Sequence, residues 1–220
     1  MRPVLTLAAL VLAVCALASC ASHAPSALPM KIRLAVLDFS PPDDSYYKKD
    51  FSYARKTEGW MAGAASIYRD AHVGIELADH LASRLNRTES VTVTPRHDLR
   101  YYMADKADRL RKQFPKLMED QIAKLAHDAV SSNAVQVGKE LQVDRVITGQ
   151  VLSASMAMND FSKVWVSRVT ARVVMRDVET GAVIFDKTFK KNMLFASSPL
   201  TMEEWAEDFA QWFAKEYGYK

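Results

Sequence analysis

The sequence predicts an α/β (α+β) domain, and three stretches carry that prediction. Residues 31–39 (KIRLAVLDF) form a near-continuous apolar run of buried-strand length. Val73, Leu77, Leu81 and Leu85 recur every four residues, one face of a helix. The last third alternates apolar and polar residues over long spans, the signature of strands with two different faces.

Each element has a local cause. The first strand ends at Ser40-Pro41-Pro42-Asp43-Asp44, because proline lacks the ladder donor and the acids favour a turn. Residues 41–71 follow with weak periodicity and a concentration of aromatics. In the first helix Gly74, Ala78 and Ala82 flank the leucine stripe. Val91-Thr92-Val93 reads as a short strand, and Asp98 as the cap of a second helix that Pro115 interrupts. Residues 116–130 resume the helix and 135–141 make another. Charges of both signs over 104–128 mark a solvated helical pair rather than a basic groove.

Residues 145–158 read as a strand with Leu152, Ala154, Met156 and Met158 on one face and Ser153 and Ser155 on the other. Residues 163–177 follow, with Trp165, Val169, Ala171, Val173 and Met175 inward and Arg168, Thr170, Arg172 and Arg176 outward. Glu179-Thr180-Gly181 reads as a three-residue hairpin loop with Gly181 at positive φ. That loop pairs Met175 with Phe185 and Ala171 with Phe189, keeping apolar opposite apolar; a two-residue turn would mix the faces. Thr201-Met202-Glu203-Glu204 reads as a capping box. The helix it opens carries a stripe of Met202, Trp205, Phe209, Trp212 and Phe213, suited to the domain's own sheet or else to a partner or membrane.

Composition narrows the function classes. A chain of 220 residues, 49% hydrophobic and 25% charged, with 7 Gly and 8 Pro, is sized for one folded domain; it is not a disordered tail, a collagen-like repeat or a multi-span membrane protein. The 29 basic and 26 acidic residues leave a net charge of +3, too little excess for a nucleic-acid partner. Two cysteines build neither a disulfide scaffold nor a four-cysteine zinc site.

The first residues set the address. Met1-Arg2-Pro3 is a positive n-region, and the uncharged apolar run 4–17 is shorter than a spanning helix. The tetrad Leu17-Ala18-Ser19-Cys20 resembles the lipobox of bacterial lipoproteins, against the reading of an ordinary secretory signal with an incidental cysteine. The resemblance implies a signal peptide over 1–19, an acylated Cys20 (palmitate among its chains) and a short linker over 20–30. Residues 31–220 remain as a single domain with a C-terminal amphipathic helix. Ala rather than Asp at position 21 implies, by likeness to proteobacterial sorting, the outer membrane and its periplasmic face. The ten residues 21–30 reach at most about 35 Å, so the domain sits close to that surface.

The chain lacks G-x-S-x-G, a P-loop, H-E-x-x-H and G-x-G-x-x-G, and its five histidines are scattered. Neither an enzyme nor a cofactor or metal site is expected from it. Two partner-binding candidates remain. One is the aromatic set Tyr46, Tyr47, Phe51, Tyr53 and Trp60 in the long segment; the other is the row Arg168, Arg172 and Arg176, suited to phosphate or an acidic partner, or simply to water.

Five pieces in order, LAVLDF (34–39), GIELADHLASRL (74–85), VTVTPRHDL (91–99), VQVGKELQVDRVITGQV (135–151) and ARVVMRDVETGAVIF (171–185), resemble the periplasmic domain of CsgG-like curli-secretion lipoproteins and LpoB-type activators of peptidoglycan synthases. The resemblance implies a mixed β-sheet with helices packed on it. Curli-type channels carry membrane-barrel hairpins after the strands ending near Val151 and Phe189. Residues 152–165 and 190–199 leave no room for them, since a membrane strand takes about 9–11 residues. The expectation is a CsgG-related binding or scaffold component of an envelope assembly or secretion system, with an envelope protein partner and a possible homo-oligomer. An LpoB-like synthase activator is the alternative, although the short linker sets its reach against crossing the periplasm.

Overall fold

The computed structural model describes residues 32–42, 72–158 and 164–218. Strands and helices follow in the order β1 (Ile32–Val36), α1 (Val73–Leu85), β2 (Val91–Val93), α2 (Arg96–Gln113), α3 (Glu119–Ser132), α4 (Ala134–Glu140), β3 (Arg145–Met158), β4 (Trp165–Asp177), β5 (Val183–Leu194) and α5 (Ser198–Tyr217). The five strands form one mixed sheet in the order β2-β1-β3-β4-β5. β1 is parallel to β2 and β3, whereas β3, β4 and β5 run antiparallel as a meander. Among the described residues no helix is long and apolar enough to cross a membrane.

The two faces are covered differently. α1 and α5 pack on one face over the main core, where Leu34, Val36, Ile147, Val169, Ala171, Val173 and Met175 are completely buried. The aromatic stripe of α5 is spent there: Trp205, Phe209 and Phe213 are at most 1% exposed. Phe185 and Phe189 pack against this stripe with ring centroids 4.8 to 6.2 Å apart, and the Trp205 indole N–H donates to the Phe189 carbonyl at 3.1 Å. Arg84 of α1 bonds Glu203 and Glu207 of α5, tying the two helices together. On the other face α2, α3 and α4 form a second core with Ala35, Leu37, Val143, Val146 and Val178. That layer reaches only β1 and the start of β3. α2 buries Leu99 alone, in keeping with its many charges.

Several local expectations need correction. β1 stops at Val36, because the chain turns Phe39 out of the ladder: its N–H goes to Gly74 at 3.3 Å, and Ser40 rejoins β3 as an isolated bridge to Gln150. Leu152 does not share a face with Ala154. A bulge between Val151 and Ser153 leaves it opposite no residue, so Val151 and Ala154 both face the core and Leu152 is 38% exposed. The β4–β5 register is as expected, Met175 with Phe185 and Ala171 with Phe189, but by a different route. The loop is four residues, closed by Asp177 N–H to the Ala182 carbonyl at 2.9 Å, and a bulge at Ile184 restores the phase.

α5 is capped by Ser197, whose Oγ accepts from Leu200 N–H at 3.4 Å, with Pro199 in the first turn; Thr201 lies inside the helix, fully buried. Asp98 sits in the first turn of α2 rather than at its cap. After Pro115 the helix restarts at Glu119, where Gln121 accepts from the Met118 N–H at 3.0 Å. Trp165 ends at the tip of the meander and is half-buried rather than inward.

Candidate functional site

β4 lies between β3 and β5, so its alternation becomes a division between core and surface. Val169, Ala171, Val173 and Met175 point under α5. The intervening residues point to the face that the α2–α4 layer leaves uncovered among the described residues. The ladder register places Ser155, Arg168 and Asn192 in one row, then Ser153, Thr170 and Lys190, then Gln150, Arg172 and Thr188. The next row is Thr148, Val174 and Asp186. Apart from Val174 this patch is polar across three strands, and its charge is mostly positive.

The three arginines thus share one face, each about 13 Å from the next at four residues' rise. They are not equivalent. Arg172 forms a two-pronged pair with Asp186, Nε to Oδ1 at 2.7 Å and Nη2 to Oδ2 at 2.5 Å. This pair holds the Asp186 carboxyl below the usual carboxylate range and raises the guanidinium. Arg168, Arg176 and Lys190 have no carboxylate within ion-pair distance among the described residues, although the Arg176 charge also lowers Asp186. Guanidinium forks at fixed spacing on a rigid sheet bind carboxylates or phosphates without any induced fold. The sequence row omitted Lys190; the signal for it was the register itself, which sets Lys190 opposite Thr170.

A second charged cluster closes the end of β1. Arg96 bonds Asp38 and Asp79 and donates Nη1–H to the Val36 carbonyl at 2.6 Å, while Arg100 reaches Asp79 at 2.9 Å. This is a clamp: it joins β1, α1 and α2 where the strand ladder breaks. Beside it Leu37, Asp38, Leu99, Met103, His127, Val130 and Ser131 line a cleft with room for about one water molecule. Among the described residues no group of three or more His, Cys, Asp or Glu could hold a metal ion. Cys20, Tyr46, Tyr47, Phe51, Tyr53 and Trp60 lie outside the described residues, so of the expected site residues the structure brings together the three arginines.

No protein-family model and no curated protein matches the chain. Among solved structures it is similar to the PelC dodecamer of Paraburkholderia phytofirmans, at 12% identity and TM-score 0.44 over 83% of this chain and 86% of that one. It is also similar to lipoprotein GNA1162 of Neisseria meningitidis, at 13% identity and TM-score 0.41 over 84% and 99%. A third likeness is to the LpoB C-terminal domain of Salmonella enterica, at 12% identity and TM-score 0.37 over 75% and 85%.

Proposed function

We propose that this chain is a lipoprotein of the bacterial envelope, acylated at Cys20 and held on the periplasmic face of the outer membrane. There it serves as a CsgG-related binding or scaffold component of an assembly or secretion complex. The observation that supports binding is the uneven covering of the sheet. One face is sealed by α1 and α5, while the opposite face of β3, β4 and β5 presents Arg168, Arg172, Arg176 and Lys190 on a rigid surface. An acidic envelope protein fits that chemistry. An LpoB-like activator of a peptidoglycan synthase is the second reading.

The test uses the full chain in its host. Palmitate labelling that disappears in Cys20→Ala, together with outer-membrane fractionation, checks the anchor. A photoreactive residue at Arg176 is expected to crosslink one envelope protein, and Arg168→Glu, at an exposed arginine with no carboxylate partner among the described residues, is expected to abolish the crosslink without changing the thermal midpoint by more than a degree or so. Unlabelled Cys20, or crosslinking indifferent to charge reversal, refutes the corresponding half. Trp60→Ala and Tyr46→Ala probe the aromatic segment in the same assay. Stimulation of purified synthase turnover by the chain would select the second reading.

A further inference from the structure

Among the described residues nothing pairs with the outer edge of β5, a strand of 12 residues. One hydrogen bond fixes the polarity of that edge: Phe195 N–H donates to the Trp165 carbonyl at 2.9 Å. Antiparallel bonding repeats every second residue, so Phe185, Lys187, Phe189, Lys191 and Met193 turn their peptide groups toward β4. Asp186, Thr188, Lys190 and Asn192 turn theirs outward.

An open edge is either blocked or paired. β5 has three lysines, a common blocking device, but two are drawn onto α5: Lys187 lies 4.4 Å from the Trp212 ring centroid, and Lys191 reaches Asp208 at 2.8 Å. Lys190 alone stands beside the outward peptide groups, four residues from Asp186 with Thr188 midway.

We infer that the partner of this edge is β5 of a second copy, antiparallel and centred on Thr188. Charge selects the register. Among two-fold pairings that overlap seven residues of β5 or more, centres at 186, 187, 190 and 191 each set a charged residue against itself, and a centre at 189 sets Lys187 against Lys191. The centre at 188 sets Asp186 against Lys190 of the second copy, twice by symmetry, and Lys187 against Phe189. It also places the outward peptide groups of Thr188 on the axis. At the ends it sets Val183, 48% exposed, opposite Met193 of the other copy and next to its Leu194, 64% exposed. Two sheets then become one continuous ten-stranded sheet, with the cationic faces of both copies on the same side.

Full-length protein in detergent is expected to sediment as a dimer without any added partner, which separates this test from that of the envelope contact. Under mild oxidation Thr188→Cys crosslinks copy to copy, because directly opposed Cα atoms lie about 5.5 Å apart, within disulfide range. Lys190→Cys does not, its two copies being roughly 13 Å apart along the strands; both are read against the unaltered chain. Lys190→Asp opposes aspartates at both symmetric positions and weakens association about tenfold or more, whereas Lys190→Arg retains it. A monomer at every attainable concentration overturns the inference. So does equal crosslinking at both positions, or an assembly indifferent to the charge changes.

Discussion

Gly74→Ala isolates the contact on which the α1–β1 packing depends. A methyl group on Gly74 would stand 1.9 Å from the Phe39 carbonyl oxygen and 2.8 Å from its carbon. Helix and strand end must separate by roughly 1 Å or more, within an interior too densely packed to absorb the shift. The shift would pull on the Phe39 N–H to Gly74 bond and on the Leu37 and Ser40 bonds to β3, at 2.9 Å each. Alanine gains at most about 1 kcal/mol of helix propensity over glycine. Overpacking costs about 1–3 kcal/mol, toward the upper end when the obstacle is backbone. A net loss of about 2 kcal/mol is expected, lowering the thermal midpoint by about 4–8 °C for a chain of this size. Urea unfolding followed by tryptophan fluorescence and circular dichroism reads it, with an unchanged denaturant slope. Gly138→Ala provides the comparison, since its methyl meets a Val178 side-chain methyl at 2.5 Å and the neighbour has rotamer freedom. An unchanged or higher midpoint for Gly74→Ala, or equal losses at both sites, would refute the backbone-contact reasoning.

Arg96→Met leaves Asp38 and the Val36 carbonyl without their donor in a half-buried site, and is expected to cost about 3 kcal/mol in urea unfolding. Arg96→Lys recovers little of it, because a point charge cannot serve three acceptors at once. The Asp177 carboxyl is held below the usual carboxylate range, first by the Thr180 backbone N–H at 2.7 Å and also by the Thr180 hydroxyl at 2.9 Å and the Arg145 charge. Its folded pKa is below its unfolded one, so its stabilisation is complete above about pH 4 and is lost as pH falls through the folded value. Asp177→Asn therefore lowers the midpoint at pH 7 and leaves it nearly unchanged in strong acid. Gly181, at φ +74° with nothing within 4 Å of its added methyl, loses about 1 kcal/mol on substitution by Ala from backbone strain alone, and Asn recovers part of that loss.

The candidate site was half legible before the structure. Alternation along 163–177 assigned Arg168, Arg172 and Arg176 to one face, because a strand's side chains have a period of two whatever surrounds them. Whether a helix lies over that face is not written in β4. It follows from α2, α3 and α4 ending their coverage at Val146 and Val178. The Asp186 clamp on Arg172, and the lack of a carboxylate within ion-pair distance of Arg168, Arg176 and Lys190 among the described residues, are likewise results of register and neighbours. The Arg96 cluster has no signature in the sequence because its members are 17 and 58 residues from Arg96 and meet only when α1, α2 and the end of β1 converge.

Local chemistry also misled where two signals competed. The Thr201–Glu204 pattern has capping-box form, yet Ser197 followed by Pro199 starts the helix a turn earlier, and the buried Thr201 hydroxyl returns to the Ser197 carbonyl at 2.9 Å. The three-residue loop and the four-residue loop with a bulge give the same apolar pairing, so the pattern could fix the register but not the turn.

What the sequence alone determined is therefore whatever hydrophobic period specifies: the α+β class, the helix over Val73–Leu85, the long meander strands and their pairing. Burial rewards only one phase of each pattern, and a slip of one residue would turn every apolar side chain of a strand to water. Among the described residues the tertiary structure decided which faces stay uncovered, which cations have no carboxylate partner, where the bulge at Leu152 turns a leucine outward, and that the strand with its charges disposed about Thr188 lies at the sheet edge. Those properties belong to distances between segments remote in the chain, and only packing sets them.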